Sequence, residues 1–370
     1  QMIRVAAGET LSYRQDDITL KGWAVESRVY AEDPHRGFLP SIGRLERYRP
    51  PAEGETDGDI VRIDGGVGEG SEVSLYFDPL IAKLITYGPD RIAAIDTMQD
   101  ALDRYLIDGI AHNVPFLSAL MDHPRWREGR LSTAFIEEEY PDGYAAPVPE
   151  GEVATWLAIV AGSIERARRA RLRSMPGRMS GEGAFGRRDW GVRVGDRHVA
   201  LSITEADPHA PGRFTIARMD DEEAMEPLAV VTDWKPGDPL WVGTIGGVPL
   251  TVQVRQATAG VRLSWRGYDV VARAMTPQIA ALDALMPPKS SGDADRVLRC
   301  PMPGLVVSIL VEPGQVVSAG TPLAVVEAMK MENILRAERN VIIATVNAAP
   351  GDVLAVDAVI MEFSGEDAPD

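Results

Sequence analysis

Apolar and polar residues alternate where the chain first organises itself. Trp23, Val25, Ser27 and Val29 fall on one side, and Ala24, Glu26, Arg28 and Tyr30 on the other. A period of two predicts a half-buried strand, which Asp33-Pro34 closes into a loop. After Asp90 the period changes: Ile92, Ile95, Met98, Leu102, Tyr105 and Leu106 recur at threes and fours. This predicts an amphipathic helix capped by Asp90 and stopped by Gly109. Pro115 stands where a first helical turn tolerates it, ahead of Phe116, Leu117, Leu120 and Met121. Ser132 or Thr133 is placed to start a last short helix containing Phe135 and Ile136. Strands mixed with helices predict an α+β unit over residues 1–145, and Pro141-Asp142-Gly143 followed by Pro147 and Pro149 has the composition of a boundary.

Residues 146–285 open with a helix from Glu152 to about Arg173. Trp156, Leu157, Ile159, Val160 and Ile164 form its core-facing front, and Arg166, Arg168, Arg169, Arg171 and Arg173 make its rear cationic. Short alternating runs follow: Trp190-Val192-Val194, Val199-Leu201-Ile203, Phe214-Ile216, Leu240-Val242, Leu250-Val252-Val254, Val261-Leu263-Trp265 and Val270-Val271. Turn residues between such runs predict a meander that curls into a barrel packed around the one long helix. Residues 286–297 contain almost nothing to bury and read as a linker. Residues 298–366 contain an internal echo, Pro313-Gly314-Gln315-Val316-Val317 and Pro350-Gly351-Asp352-Val353-Leu354. Two matching halves predict a small flattened β-sandwich, with Glu327 to Asn333 at the hairpin joining them.

Composition narrows the function. The 45% of hydrophobic residues in 370 suffices for two or three cores, which excludes a disordered chain. A net charge of −17 repels phosphate backbones and anionic headgroups, so neither nucleic acid nor a membrane is the expected partner. One cysteine, Cys300, cannot form an internal disulfide, which fits a reducing, intracellular compartment. No apolar run is long enough to span a bilayer. The five histidines show no ligand spacing, so no metal site is expected from them. The chain starts at Gln1, which reads as a piece of a longer polypeptide.

Lys330 carries the most distinctive chemistry. It sits at a hairpin tip between Met329 and Met331, with Glu327 and Glu332 nearby, and is one of only five lysines. A solvated turn lysine is the commoner fate, but methionines usually fill cores and here they bracket a charge. An open lysine so placed is a handle for attachment.

Ala328-Met329-Lys330-Met331, preceded by Glu327 and by Pro301-Met302-Pro303-Gly304, resembles the biotin carboxyl carrier domain of biotin-dependent carboxylases over residues 298–364. The resemblance implies covalent biotin on Lys330, whereas lipoyl domains usually carry Asp-Lys-Ala. Val341 stands where that family usually has glycine. The opening unit resembles the C-terminal part of an ATP-grasp biotin carboxylase domain. Glu26-Ser27-Arg28-Val29-Tyr30-Ala31-Glu32-Asp33-Pro34, Phe38-Leu39-Pro40-Ser41, Phe77-Asp78-Pro79-Leu80-Ile81-Ala82-Lys83, Ile107-Asp108-Gly109 and Asn113-Val114 follow that family in order. It implies that Arg62, sixteen residues before Asp78, holds bicarbonate and stabilises the biotin enolate, a role suited to a permanent cation. The family's ATP and Mg²⁺ sites would lie upstream of Gln1. The middle unit resembles the tying domain of propionyl-CoA carboxylase α subunits.

Together these resemblances imply a biotin-carrying α subunit. Its partners would be a carboxyltransferase β subunit, a biotin protein ligase and further α subunits, in bacterial cytoplasm or mitochondrial matrix. A non-catalytic carrier or scaffold, and an α subunit serving methylcrotonyl-CoA or acetyl-CoA, are the alternatives.

Overall fold

The computed structural model describes residues 1–370 apart from 57, 75, 142, 174–187, 206–211, 220–225, 287–296, 318, 319, 329, 330, 338–340 and 365–370. In the first unit, β1 (Trp23–Tyr30), β2 (Arg47–Arg49), β3 (Gly54–Thr56), β4 (Asp59–Gly65) and β5 (Leu80–Gly88) precede α1 (Arg91–Arg104). Four of these strands form an antiparallel sheet in the order β1-β5-β4-β3. Val25, Ser27 and Val29 face inward as the alternation predicts, but Trp23 is half-exposed with the Arg91 guanidinium over its ring. The Asp90 carboxylate accepts the Ala93 N–H at 3.0 Å and caps α1, which packs across β1, β4 and β5.

Gly109 does not stop that helix. α1 ends at Arg104, and the chain extends into β6 (Leu106–Asp108), which pairs with β2. Ile92 is 41% exposed, so the apolar stripe starts later than its spacing predicts. Gly109 has φ +106°, and a Cβ there would lie 2.2 Å from the Arg44 carbonyl oxygen; it permits a close crossing. α2 (Val114–Asp122) carries Pro115 in its first turn as expected. α3 (Phe135–Glu139) starts after Ala134 without a side-chain cap, so neither Ser132 nor Thr133 performs the capping role expected of it.

The second unit is a closed barrel of eight strands around α4 (Gly151–Arg173). β7 (Asp189–Val194), β8 (Arg197–Glu205), β9 (Arg213–Arg218), β10 (Leu228–Thr232), β11 (Leu240–Ile245), β12 (Val248–Ala257), β13 (Gly260–Trp265) and β14 (Tyr268–Met275) pair in sequence, and β14 returns to β7. Leu157, Val160 and Ile164 of α4 join Val192, Leu201, Val252 and Leu263 in one core. The fully buried Trp241 donates its indole N–H to Ser163 Oγ at 2.8 Å, tying strand to helix. α5 (Pro277–Asp283) lies outside the barrel, with the Asp283 carboxylate 3.3 Å from Arg193 and 3.1 Å from His198.

The barrel meets the first unit through buried polar contacts. Gln253 Nε2 donates to the carbonyls of Leu102, Asp103 and Tyr105 at 3.0–3.4 Å, capping the C-terminal end of α1. The Asp103 carboxyl accepts the Arg266 N–H at 2.9 Å, and Arg255 reaches Asp108 at 2.6 Å. Tyr144 donates to the Gly267 carbonyl at 3.2 Å.

The last unit is a sandwich of two four-stranded sheets. Its strands are β15 (Val297–Arg299), β16 (Gly304–Ile309), β17 (Val316–Val317), β18 (Pro322–Ala328), β19 (Met331–Arg336), β20 (Val341–Val346), β21 (Val353–Leu354) and β22 (Val359–Phe363). The sheets run β15-β22-β20-β17 and β19-β18-β16-β21. The echo in the sequence is an echo in space: Gly314 and Gly351, at φ +87° and +96°, each turn the chain into a two-residue strand that pairs with the other half. Val341 opens β20 with its side chain buried. The fold is mixed α+β, as expected. The linker residues 287–296 lie outside the described residues.

Candidate functional site

Arg62 lies on β4, where Val61 and Ile63 turn toward the core and Ile60, Arg62 and Asp64 turn outward. Its guanidinium grips the Asp64 carboxylate with both arms, Nε to Oδ1 at 2.8 Å and Nη2 to Oδ2 at 2.7 Å. That bidentate hydrogen bonding raises the arginine's proton affinity further, so its charge is permanent. The Glu53 carboxylate accepts the Ile63 N–H at 2.7 Å and adds negative field beside it.

The register of the sheet lays out the rest of this face. Glu26 on β1, Ile85 on β5 and Arg62 on β4 form one cross-strand row; Arg28, Lys83 and Asp64 form the next. Two family-like motifs support the face from behind. Asn113 accepts the Tyr30 N–H at 2.9 Å and donates to the Arg28 carbonyl at 3.0 Å, pinning the end of β1. Asp78 accepts the Leu80 N–H at 2.9 Å where β5 begins.

The second candidate region is the hairpin between β18 and β19. Ala328 pairs with Met331 and Glu327 with Glu332, so residues 329 and 330 connect the strands. Met329 and Lys330 lie outside the described residues. Ala328 is buried, whereas Glu327, Met331 and Glu332 are exposed. Met302 is buried beside it, its sulfur 3.8 Å from Asn333 Nδ2. Cys300, buried with its thiol pushed up by desolvation, hydrogen bonds to the Met302 carbonyl. Gly304 is a spatial necessity, because a Cβ there would lie 2.6 Å from the Glu327 carbonyl oxygen. The Pro-Met-Pro-Gly run thus supports the hairpin from below, a role its sequence alone does not reveal. No hydrogen bond or ion pair among the described residues links Arg62 to this hairpin.

The basic end of α4 is used largely inside its own unit. Arg166 lies over Phe214 at 4.6 Å, Arg169 over Trp190 at 4.5 Å, and Arg168 donates to Gln256 at 2.6 Å. Among the described residues no cluster of three His, Cys, Asp or Glu side chains could hold a metal, and no helix is long and apolar enough to cross a membrane.

Three family models match in succession: the biotin carboxylase C-terminal domain over residues 26–138, the propionyl-coenzyme A carboxylase BT domain over 157–289 and the biotin-requiring enzyme domain over 296–363. A propionyl-CoA carboxylase alpha chain from Ruegeria pomeroyi is 46% identical over 98% of this chain and 54% of its own length. The mitochondrial propionyl-CoA carboxylase alpha chain of Rattus norvegicus is 35% identical over 98% of this chain and 48% of its own length. The methylcrotonoyl-CoA carboxylase subunit alpha of Glycine max is 29% identical over 90% and 49%. The chain spans about half the length of the curated relatives it matches.

Proposed function

The chain belongs to the biotin-dependent acyl-CoA carboxylases, and from that premise we propose that it forms the C-terminal half of a propionyl-CoA carboxylase α subunit. The observation carrying this reading is the order of three matched domains along a chain 46% identical, almost end to end, to one such alpha chain. The methylcrotonoyl relative is more distant. The intact subunit would consume MgATP and bicarbonate and deliver a carboxyl group to a β subunit, which places it on propionyl-CoA to give methylmalonyl-CoA.

The residues fit a tethered biotin. Strands β18 and β19 flank the attachment position in sequence, Met331 beside it is exposed, and buried Met302 and closely packed Gly304 brace the end of the hairpin. Biotin joined to Lys330 supplies a ureido nitrogen that can accept and release a carboxyl group. Glu327, Ala328, Met329 and Met331 make up the sequence motif recognised by a biotin protein ligase. Arg62 offers its permanent charge to bicarbonate and to the developing oxyanion, with Asp64 orienting the guanidinium. ATP and Mg²⁺ belong to the rest of the intact subunit, which associates with further α subunits in bacterial cytoplasm or mitochondrial matrix.

Coexpression with a biotin ligase tests the assignment. One biotin adduct, mapped to Lys330 and abolished in a folded Lys330→Arg variant, is expected; continued labelling of that variant would refute it. Assay of the reconstituted holoenzyme should show propionyl-CoA preferred, and a preference for methylcrotonyl-CoA would move the acyl assignment to that sister enzyme.

A further inference from the structure

The outward face of the β1-β5-β4 sheet contains an electrostatic anomaly. Lys83 sits on the central strand, directly paired with Arg28 on one side and Asp64 on the other. Like charges directly opposite on a sheet are destabilising, and of this pair only Arg28 has a carboxylate partner. Asp64, the obvious partner for the lysine, has both carboxylate oxygens taken by Arg62. Glu26 is drawn to Arg28, at 3.5 Å. Lys83 is half-buried, and its ammonium takes part in no hydrogen bond or ion pair among the described residues. In a chain of net charge −17 with acids to spare, an ammonium left unpaired between an arginine and a spoken-for carboxylate is a local conflict without a folding benefit.

The conflict resolves if an anion completes the face. Arg62 stands diagonally across from Lys83, because Arg62 pairs with Ile85 and Lys83 lies two residues before Ile85 on β5. Diagonal neighbours are about 7–8 Å apart at their backbones, within reach of two long side chains. We propose that Lys83 is a second anion-binding residue of this face, closing with Arg62 on one small oxyanion. The inference rests on the reading of Arg62 given above and deepens it. The arginine, oriented by Asp64, supplies a planar fork; the lysine supplies a point charge that can follow the anion. Two substrates of the intact subunit bring such oxyanions, bicarbonate and the phosphates of ATP. The position beside Arg62 favours bicarbonate.

Steady-state kinetics of the intact, biotinylated α subunit test this, with ATP-dependent biotin carboxylation as the readout. Lys83→Gln should raise KM for bicarbonate about tenfold, as expected for one lost charge-assisted contact, with KM for MgATP unchanged. Lys83→Glu should be worse than Lys83→Gln, and Lys83→Arg should stay within about threefold of the parent. A merely structural lysine would not produce this ordering by charge. A rise in KM for MgATP alone, with the same ordering, would keep the anion role and identify the anion as phosphate. Unchanged KM values in folded Lys83→Gln and Lys83→Glu overturn the inference. An Arg62→Gln variant run in parallel separates the two ideas. Lost carboxylation there with Lys83 variants unaffected leaves the arginine reading standing alone; full activity there removes the reading on which this inference depends.

Discussion

Asp103 places a carboxyl group where ionisation is costly. It is buried at the end of α1, and desolvation pushes its pKa up to about 8 even though the Arg266 N–H and guanidinium oppose the shift. In the unfolded chain the same group titrates near its ordinary value of 3.8. Between those limits the folded state holds one more proton, so stability is fully present below about pH 4, falls as pH rises toward about 8, and levels off above. The slope is about 1.4 kcal/mol per pH unit inside that window. Asparagine keeps an oxygen for the Arg266 N–H and has nothing to ionise. Asp103→Asn should therefore remove this component of the pH dependence and melt higher than the parent at pH 8, but not at pH 4. Parallel slopes for the two proteins across that range would show that Asp103 is ionised in the folded state. Neighbouring His112 has its pKa lowered to about 4 from an ordinary 6.5 by burial and by Arg255, so between those values it contributes an opposing slope; that slope is common to parent and variant, and the difference between the two proteins isolates Asp103.

The turn joining β13 to β14 fastens the first two units together. Arg266 and Gly267 both have positive φ, +48° and +80°, and a Cβ on Gly267 would lie 2.6 Å from the Ala119 side chain and 2.7 Å from its backbone nitrogen. Gly267→Ala should cost about 2 kcal/mol or more, through backbone strain and through separation of the hairpin from α2. Calorimetry should show the carboxylase-like unit and the barrel unfolding less cooperatively; an unchanged single transition would show that the junction does not couple them. The docking of this hairpin was not legible in advance, because Asp103, which accepts the Arg266 N–H, lies 163 residues away in the sequence and no local pattern points to it. Local patterning did announce β1, α1, α4 and seven of the barrel strands. It missed β10, where only Val230 is fully buried and no clean alternation exists. It also ran α1 on to Gly109, because Tyr105 and Leu106 are as buried as helix residues although their backbone is extended. Arg62 and the hairpin motif were legible through family resemblance; unpaired Lys83 required the register of three strands.

At the scale of the molecule, the same contacts divide what is fixed from what can travel. The first unit and the barrel share buried hydrogen bonds, through Gln253, Arg255 and Arg266, that would be costly to break and remake in each cycle. The biotinyl-type sandwich instead closes its own core, with Val306, Leu323, Val326, Ile343 and Ile360 buried together. On the proposed function, a carrier serving two reaction centres must move as a folded unit, and in the sequence that unit follows residues 287–296, rich in Pro, Ser, Gly and Asp. Ten residues reach about 35 Å when fully extended and average nearer 17 Å as a coil. Removing 288–295 would leave too little chain for such travel while sparing the core and the β18–β19 hairpin. Biotin labelling of Lys330 should then proceed at the parent rate, because the ligase reads the folded hairpin. Coupled carboxylation of the acyl-CoA by the α–β complex should fall more than tenfold, since delivery depends on the effective concentration that the tether allows. Undiminished coupled turnover in a fully biotinylated deletion variant would mean that the reaction centres come to the carrier, and that the barrel junction, rather than the linker, must be the part that moves.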